Sequence, residues 1–166
     1  MEGKKSKPRA ILVFGAPCSG KTTFAEKFAN RFDLAYYNFD EIREQYRLTH
    51  KNILLIIELL GRTGKTIVIE GGLNTEKDRA GMRNALRNAG YEPSLVWVQT
   101  DIATIRMRMK LKYRSVAKAK EMYDYAVDTM EAPAETEHPI ILSGKHTFDT
   151  QTKHILAGLA DNLEKK

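Results

Sequence analysis

The strongest constraint on how this chain can fold is the stretch Gly15-Ala16-Pro17-Cys18-Ser19-Gly20-Lys21-Thr22. An apolar run, Ala10-Ile11-Leu12-Val13-Phe14, leads into it and reads as a buried strand, while residues 22–32 lead out of it and read as a helix. A strand that feeds a glycine-rich turn and then a helix aims unpaired helix N–H groups and a partial positive charge into that turn. The glycines let the backbone curl close to an anion without a Cβ in the way. The spacing G-x-x-x-x-G-K-[ST] is the Walker A phosphate-binding pattern, in which Lys21 reaches the β- and γ-phosphates and the Thr22 hydroxyl ligates Mg²⁺. The candidate nucleotide contacts are therefore Gly15, Ala16, Pro17, Cys18, Ser19, Gly20, Lys21, Thr22 and Thr23.

The rest of the chain alternates short apolar runs with helical patterns. A second strand is expected over 34–39, ending at Asp40, followed by helices over 41–48 and 51–60, the latter closed by Gly61. Residues 66–70 read as a third strand, stopped by Gly71-Gly72, and Asn74 as the N-cap of a helix over 75–89 with Gly90 beyond it. Residues 95–99 read as the fourth strand. Asp101 reads as the cap of a helix to about 112, and 116–130 as a further helix. Pro133 and Pro139 bracket a loop before a short fifth strand, Ile140-Ile141-Leu142, and a last helix over 152–163. Strands alternating with helices imply an α/β protein, a mainly parallel sheet covered on both faces, with ligands outside the carboxyl ends of the strands.

At 166 residues the chain suits one domain, and 42% hydrophobic with 29% charged residues is a globular composition. Cys18 is the one cysteine, so no intramolecular disulfide is possible, and a reducing, cytoplasmic setting is expected. No apolar run reaches membrane-spanning length. Residues 1–8 read as a loose basic tail rather than a signal peptide, leaving 9–163 as the domain. A net charge of +6 favours anionic partners, whether nucleotides, phosphorylated metabolites or nucleic acid.

If all strands are parallel, Lys21, Asp40, Glu70 and the Gly71-Gly72 pair share one rim. Asp40 has two readings: a general base or Mg²⁺ partner with Arg43 gripping an anionic substrate one helical turn along, or a helix N-cap with a surface arginine beyond. Glu70 stands where an acid that holds Mg²⁺ would stand, or is an ordinary strand-end carboxyl. Gly71 and Gly72 admit a substrate to the backbone, or simply make a turn. Farther on, basic and apolar residues alternate in Ile105-Arg106-Met107-Arg108-Met109-Lys110-Leu111-Lys112-Tyr113-Arg114. That charge is too dense for an ordinary core helix. It fits a lid over about 104–120 that brings arginines, Arg106 and Arg114 foremost, onto a transferring phosphoryl group; it also fits a solvated or nucleic-acid-facing helix. No histidine and cysteine spacing suggests zinc. His146, just past the fifth strand, stands where an adenine base could lie.

Together the Walker A loop, Asp40-x-x-Arg43 after the second strand, the glycine-ended third strand and the arginine-rich segment resemble the small P-loop kinases. Among these are the AAA_33-type ATP-binding proteins, the zeta-toxin-like kinases and the kinase domain of polynucleotide kinases. The resemblance runs from about Arg9 to Leu163, and includes the region from Glu131-Ala132-Pro133 to Ser143-Gly144 before the last helix. It implies a three-layer P-loop NTPase fold of nucleoside-kinase type, with a five-stranded parallel sheet ordered 2-3-1-4-5 and an arginine-rich lid. It also implies ATP and Mg²⁺ as cosubstrates. Lys21, Asp40, Arg106 and Arg114 would be the catalytic residues, with Asp40 deprotonating the acceptor hydroxyl. Asp40, Arg43, Gly71 and Gly72 would bind the acceptor, and Thr22, Asp40 and Glu70 the metal. The activity implied is transfer of the γ-phosphoryl group to a hydroxyl of a small or phosphorylated acceptor. A 5′-hydroxyl polynucleotide kinase and an ATP-binding regulatory module are the alternatives.

Overall fold

The computed structural model describes residues 7–164 of the chain, with side chains to 161. Five strands, β1 (Arg9–Phe14), β2 (Ala35–Asn38), β3 (Ile67–Glu70), β4 (Glu92–Gln99) and β5 (Ile140–Ser143), form one sheet in the order β2-β3-β1-β4-β5. Every pairing is parallel. The helices are α1 (Lys21–Arg31), α2 (Phe39–Tyr46), α3 (His50–Gly61), α4 (Glu76–Asn88), α5 (Ile102–Tyr113), α6 (Val116–Thr129) and α7 (Phe148–Glu164). The expected strand order and the α/β class are thus both present. Among the described residues no helix is long and apolar enough to cross a membrane. Residues 1–6 of the expected tail lie outside the described residues, and Pro8, just before β1, is bonded to β4, its carbonyl accepting from Glu92 N–H at 2.8 Å.

The unalternating apolar strands have a two-sided burial as their cause. Ala10, Leu12 and Phe14 of β1 pack with Ile53, Ile57 and Leu86 from α3 and α4. Ile11 and Val13 pack the other way, with Phe24 and Phe28 of α1 and Ile155 and Leu159 of α7. A smaller third cluster, Ile105, Met109 and Ala119, seats the α5–α6 hairpin against Ala16 and Cys18 of the loop after β1.

Several boundaries differ from the sequence expectation, each for a local reason. β4 begins at Glu92, not 95, and contains Pro93. Glu92 N–H points to the β1 side, so the missing N–H of Pro93 falls on the other side, where β5 does not pair until Val96. The N-cap of α4 is Thr75 rather than Asn74, because Thr75 and Asp78 form a reciprocal capping box. α7 starts at Phe148 rather than 152, since the Thr147 hydroxyl accepts from Thr150 N–H at 3.3 Å and caps the earlier turn. α2 starts at Phe39, with Asn38 accepting from Glu41 N–H, so Asp40 lies inside its first turn rather than at a strand end or cap.

Candidate nucleotide and acceptor site

The loop between β1 and α1 closes on itself through Ser19 N–H to the Ala16 carbonyl at 3.1 Å. Two residues bend it through left-handed backbone, Cys18 at φ 62° and Gly20 at φ 100°. A Cβ at position 15 would run into the Val98 carbonyl, so only glycine lets the loop lie this close to β4. The helix that follows differs from its neighbours. Helices α2 to α6 begin at Asn38, Thr49, Thr75, Asp101 and Ser115, each with a side chain accepting from the first turn. α1 begins at Gly20 with no side-chain cap and no acidic residue in its first turn. Its first amides are left open to an external anion, at the positive end of the helix dipole.

β3 places Glu70 beside this opening. Its register sets Glu70 against Val13 of β1 and Asn38 of β2, and the residue is 3% exposed. Thr22 Oγ1 donates to Glu70 Oε1 at 2.7 Å, Tyr36 Oη donates to Oε2 at 2.9 Å, and Lys21 Nζ stands 3.8 Å from Oε1. Burial first, then the Glu70 charge, pushes the Tyr36 hydroxyl far above its ordinary pKa, so it remains a donor. The Walker A loop and Glu70 are thus brought together as the sequence suggested. Among the described residues no cluster of three or more His, Cys, Asp or Glu could hold a metal by itself. A hydroxyl and a carboxyl 2.7 Å apart at the mouth of a phosphate cradle do suit Mg²⁺, which takes few protein ligands and completes its shell with phosphate oxygens and water.

Two side chains hold the loop from outside. Thr100 Oγ1 donates to the Ser19 carbonyl at 2.8 Å. Arg108 of α5 donates through Nη1 to the Cys18 carbonyl at 3.1 Å and through Nη2 to the Gly144 carbonyl at 3.3 Å. Lys145, next in the chain, pairs at 2.6 Å with Asp101, the cap of α5, and this bond with the Thr104 N–H holds the Asp101 carboxyl well below its usual range. A cavity of about 360 Å³ beside Gly20 and Thr23 is lined by Arg108, Gly144, His146 and Phe148. His146 therefore does stand next to the phosphate loop. The basic run divides differently from the sequence expectation. Arg106 lies over the Tyr123 ring at 4.7 Å, between α5 and α6, and Arg114 is exposed in the left-handed turn joining those helices. Arg108, which the sequence did not single out, is the arginine on the loop. Its signal was present: it lies three residues after Ile105 and one before Met109, the two residues that anchor α5 to Ala16 and Cys18.

On the other side of Glu70, the chain turns through Gly71 at φ 91° and Gly72 at φ 67°. A Cβ on Gly71 would meet the Asp40 backbone and carboxyl. Gly72 N–H donates to Asp40 Oδ1 at 3.0 Å, fixing the carboxyl over the turn; among the described residues that carboxyl makes no hydrogen bond to Thr22 or Glu70. Arg43, one turn further along α2, has a buried Nε with no hydrogen-bond partner among the described residues. Asp40 and Arg43 border a cavity of about 420 Å³ whose polar side adds His50 and Lys77 and whose apolar wall is Ile53, Leu54, Ile57 and Met82.

A sequence-silent feature ties this region together. Arg79 of α4 is fully buried and bonded at every nitrogen. Nε and Nη2 each donate at 2.8 Å to the Glu137 carboxyl, Nη1 donates to the Leu73, Asn74 and Glu131 carbonyls, and the guanidinium lies 4.9 Å from the Phe14 ring centre. Nothing in the spacing of Arg79 distinguishes it from the exposed basic residues around it.

A parallel sheet in this order, with an uncapped helix behind a Walker A loop and a strand-end carboxyl at its mouth, defines a P-loop nucleotide-binding protein of the kinase fold. Residues 11–136 match the AAA_33 family, described as an AAA domain, and the chain belongs to that family. Solved structures share the fold at low identity. A gluconokinase from Sinorhizobium meliloti 1021 is 17% identical with a TM-score of 0.68, covering 97% of each chain. Kti12 of Chaetomium thermophilum in complex with ADP-AlF3 is 18% identical with a TM-score of 0.66, covering 92% of this chain and 97% of its own. The Mycobacterium tuberculosis APS kinase CysC in complex with AMPPNP and APS is 14% identical with a TM-score of 0.63, covering 93% and 98%. No curated protein sequence matches significantly.

Proposed function

We propose that the protein is an ATP-dependent kinase that transfers the γ-phosphoryl group to a hydroxyl of a small acceptor bearing an anionic group. One juxtaposition carries this reading. An open helix N-terminus with Lys21, Thr22 and Glu70 adjoins a cavity holding a tethered carboxyl, Asp40, and an unpaired guanidinium nitrogen on Arg43. The nucleotide belongs to residues 15–23, with Lys21 on the β- and γ-phosphates and Arg108 behind the loop. Thr22 and Glu70 would hold Mg²⁺, which neutralises phosphate charge when bound. Asp40 takes the proton of the acceptor hydroxyl, its orientation set by Gly72 N–H. Arg43 binds the acceptor's anionic group, with Gly71 and Gly72 giving it room. Arg106 and Arg114, on the same hairpin as Arg108, supply further charge when the hairpin closes; a single placed arginine can be worth about 10³-fold or more.

The cavity beside Asp40, walled by Ile53, Leu54, Ile57 and Met82, favours an acceptor with an apolar face over an extended nucleic-acid strand. The test is mass-resolved product from ATP, Mg²⁺ and a pool of hydroxy acids, phosphorylated metabolites, nucleosides and 5′-hydroxyl oligonucleotides. Product with a small anionic acceptor is expected. Lys21→Ala should abolish it, and Asp40→Asn should retain ATP binding while losing about 10²–10⁴ in turnover. Full turnover by Asp40→Asn removes the base assignment. Product only with oligonucleotides makes the protein a polynucleotide kinase, and ATP binding with no product from any acceptor makes it a binding module.

A further inference from the structure

The end of the sheet opposite the phosphate loop holds a second basic cavity. α4 carries arginines at 79, 83 and 87, four residues apart, so all three share one helix face. Arg79 is consumed by Glu137. Arg83 is not: its Nε is buried and has no hydrogen-bond partner among the described residues. Arg87 reaches only Asn84 Oδ1, at 3.4 Å, and neither arginine is in an ion pair among the described residues. Burial, and then repulsion from Arg87, draws the Arg83 pKa below the ordinary arginine value. Both line a cavity of about 540 Å³, together with Lys7, His138 and the start of β4. Two carboxyl groups, Glu92 and Glu137, also border it. Glu137 is already bonded twice to Arg79, so it only partly offsets the two guanidiniums of Arg83 and Arg87.

Folding has placed two like charges side by side on a concave surface and left a buried donor unsatisfied. An unmade hydrogen bond of this kind is costly, and a pair of guanidinium forks matches the oxygens of a phosphate. The cavity borders the first residues of β4, whereas the phosphate loop follows the far end of β1, about 17 Å of strand away. We propose that this cavity is a second anion site, separate from the nucleotide and acceptor pockets, and that it takes the phosphate group of a compact ligand between Arg83 and Arg87. The cations sit in a hollow on one helix face instead of in a track across the surface, which suits a small ligand better than a nucleic-acid backbone.

The test uses the full chain at low salt, saturated with AMPPNP and Mg²⁺ so that the phosphate loop is filled. Inorganic phosphate is titrated while the arginine Nε–H NMR signals are followed. The Arg83 and Arg87 signals should shift together, and apparent affinity should fall tenfold or more in Arg83→Met and in Arg87→Met. Arg87 is exposed, so its variant is expected to fold as the parent does. Without phosphate, Arg83→Met should have a Tm equal to or above that of the parent, since it removes a donor with no partner. Failure of these arginine signals to shift, or unchanged affinity in both variants, overturns the proposal; so does a lowered Tm for a folded Arg83→Met. An oligonucleotide that displaces phosphate at lower concentration, with steep salt dependence, assigns the cavity to nucleic acid instead. Failure of AMPPNP to bind would strike the kinase reading and leave this one standing.

Discussion

Arg79 and Arg43 are both arginines near the Asp40 cavity with buried guanidinium nitrogens, and they behave in opposite ways. Arg79 donates at Nε, Nη1 and Nη2 to a carboxyl and four carbonyls, leaving nothing to bind a ligand. Arg43 keeps a buried Nε with no partner and lines an open cavity. A saturated buried arginine is architecture, because removing it orphans everything it served. An unsaturated one beside a cavity has kept its bonding capacity for something that arrives later. Arg83 belongs with Arg43 in this respect.

The largest effect should come from the saturated member. Arg79→Leu leaves the Glu137 carboxyl buried without its cation, and should cost about 3–5 kcal/mol by urea denaturation. The double change Arg79→Leu with Glu137→Leu should be milder than the single one; equal losses would mean that the four carbonyls, not the ion pair, carry the stability. Next, Arg43→Met should leave Tm and ATP affinity unchanged while weakening kcat/KM for the acceptor by about 1.5–3 kcal/mol, the usual value of a hydrogen bond to a charged group. A destabilised Arg43→Met would place it with Arg79 and dissolve the contrast.

Acid sharpens the same contrast. The Arg79 hydrogen bonds, against the opposing pull of burial, hold Glu137 below its ordinary pKa of 4.5. A depressed folded pKa contributes stability that is present above 4.5 and is lost as pH falls through the folded value, because the unfolded chain then binds the extra proton. Stability of the parent should therefore decline on the acid side of pH 4.5, and Glu137→Gln should flatten that limb. The smallest effect is Arg83→Met, a gain of no more than about 0.5 kcal/mol without ligand.

These cases also mark what the sequence could disclose. The Walker A loop and Glu70 at the end of β3 rest on short-range patterns, glycine spacing, apolar runs and the alternation of strand with helix, whereas the strand order followed from the resemblance to the small P-loop kinases. Arg108 was half legible, hidden in a run where every second residue is basic, and its choice over Arg106 depends on which face of α5 meets Cys18. The Arg79–Glu137 bond was not legible at all, because 58 residues separate its partners and only the packed fold brings them together. Nor was the open state of Arg43, since an absent bond leaves no mark on spacing. The Asp40 cavity shares that difficulty: its wall combines α2, α3 and α4, and each helix alone is an ordinary amphipathic segment.

The strap that follows α6 is riveted to the segment after the glycine pair. Glu131 N–H donates to the Asn74 carbonyl at 2.9 Å, its carboxyl accepts from Glu76 N–H at 2.8 Å, and Arg79 clasps carbonyls from both stretches. The root of the α5–α6 hairpin is thereby tied to the start of α4, and its far end is the turn at Arg114 and Ser115. If the hairpin closes as proposed, its base stays bonded to the segment that lines the Asp40 cavity, so a displacement of the arm would be passed to Asn74.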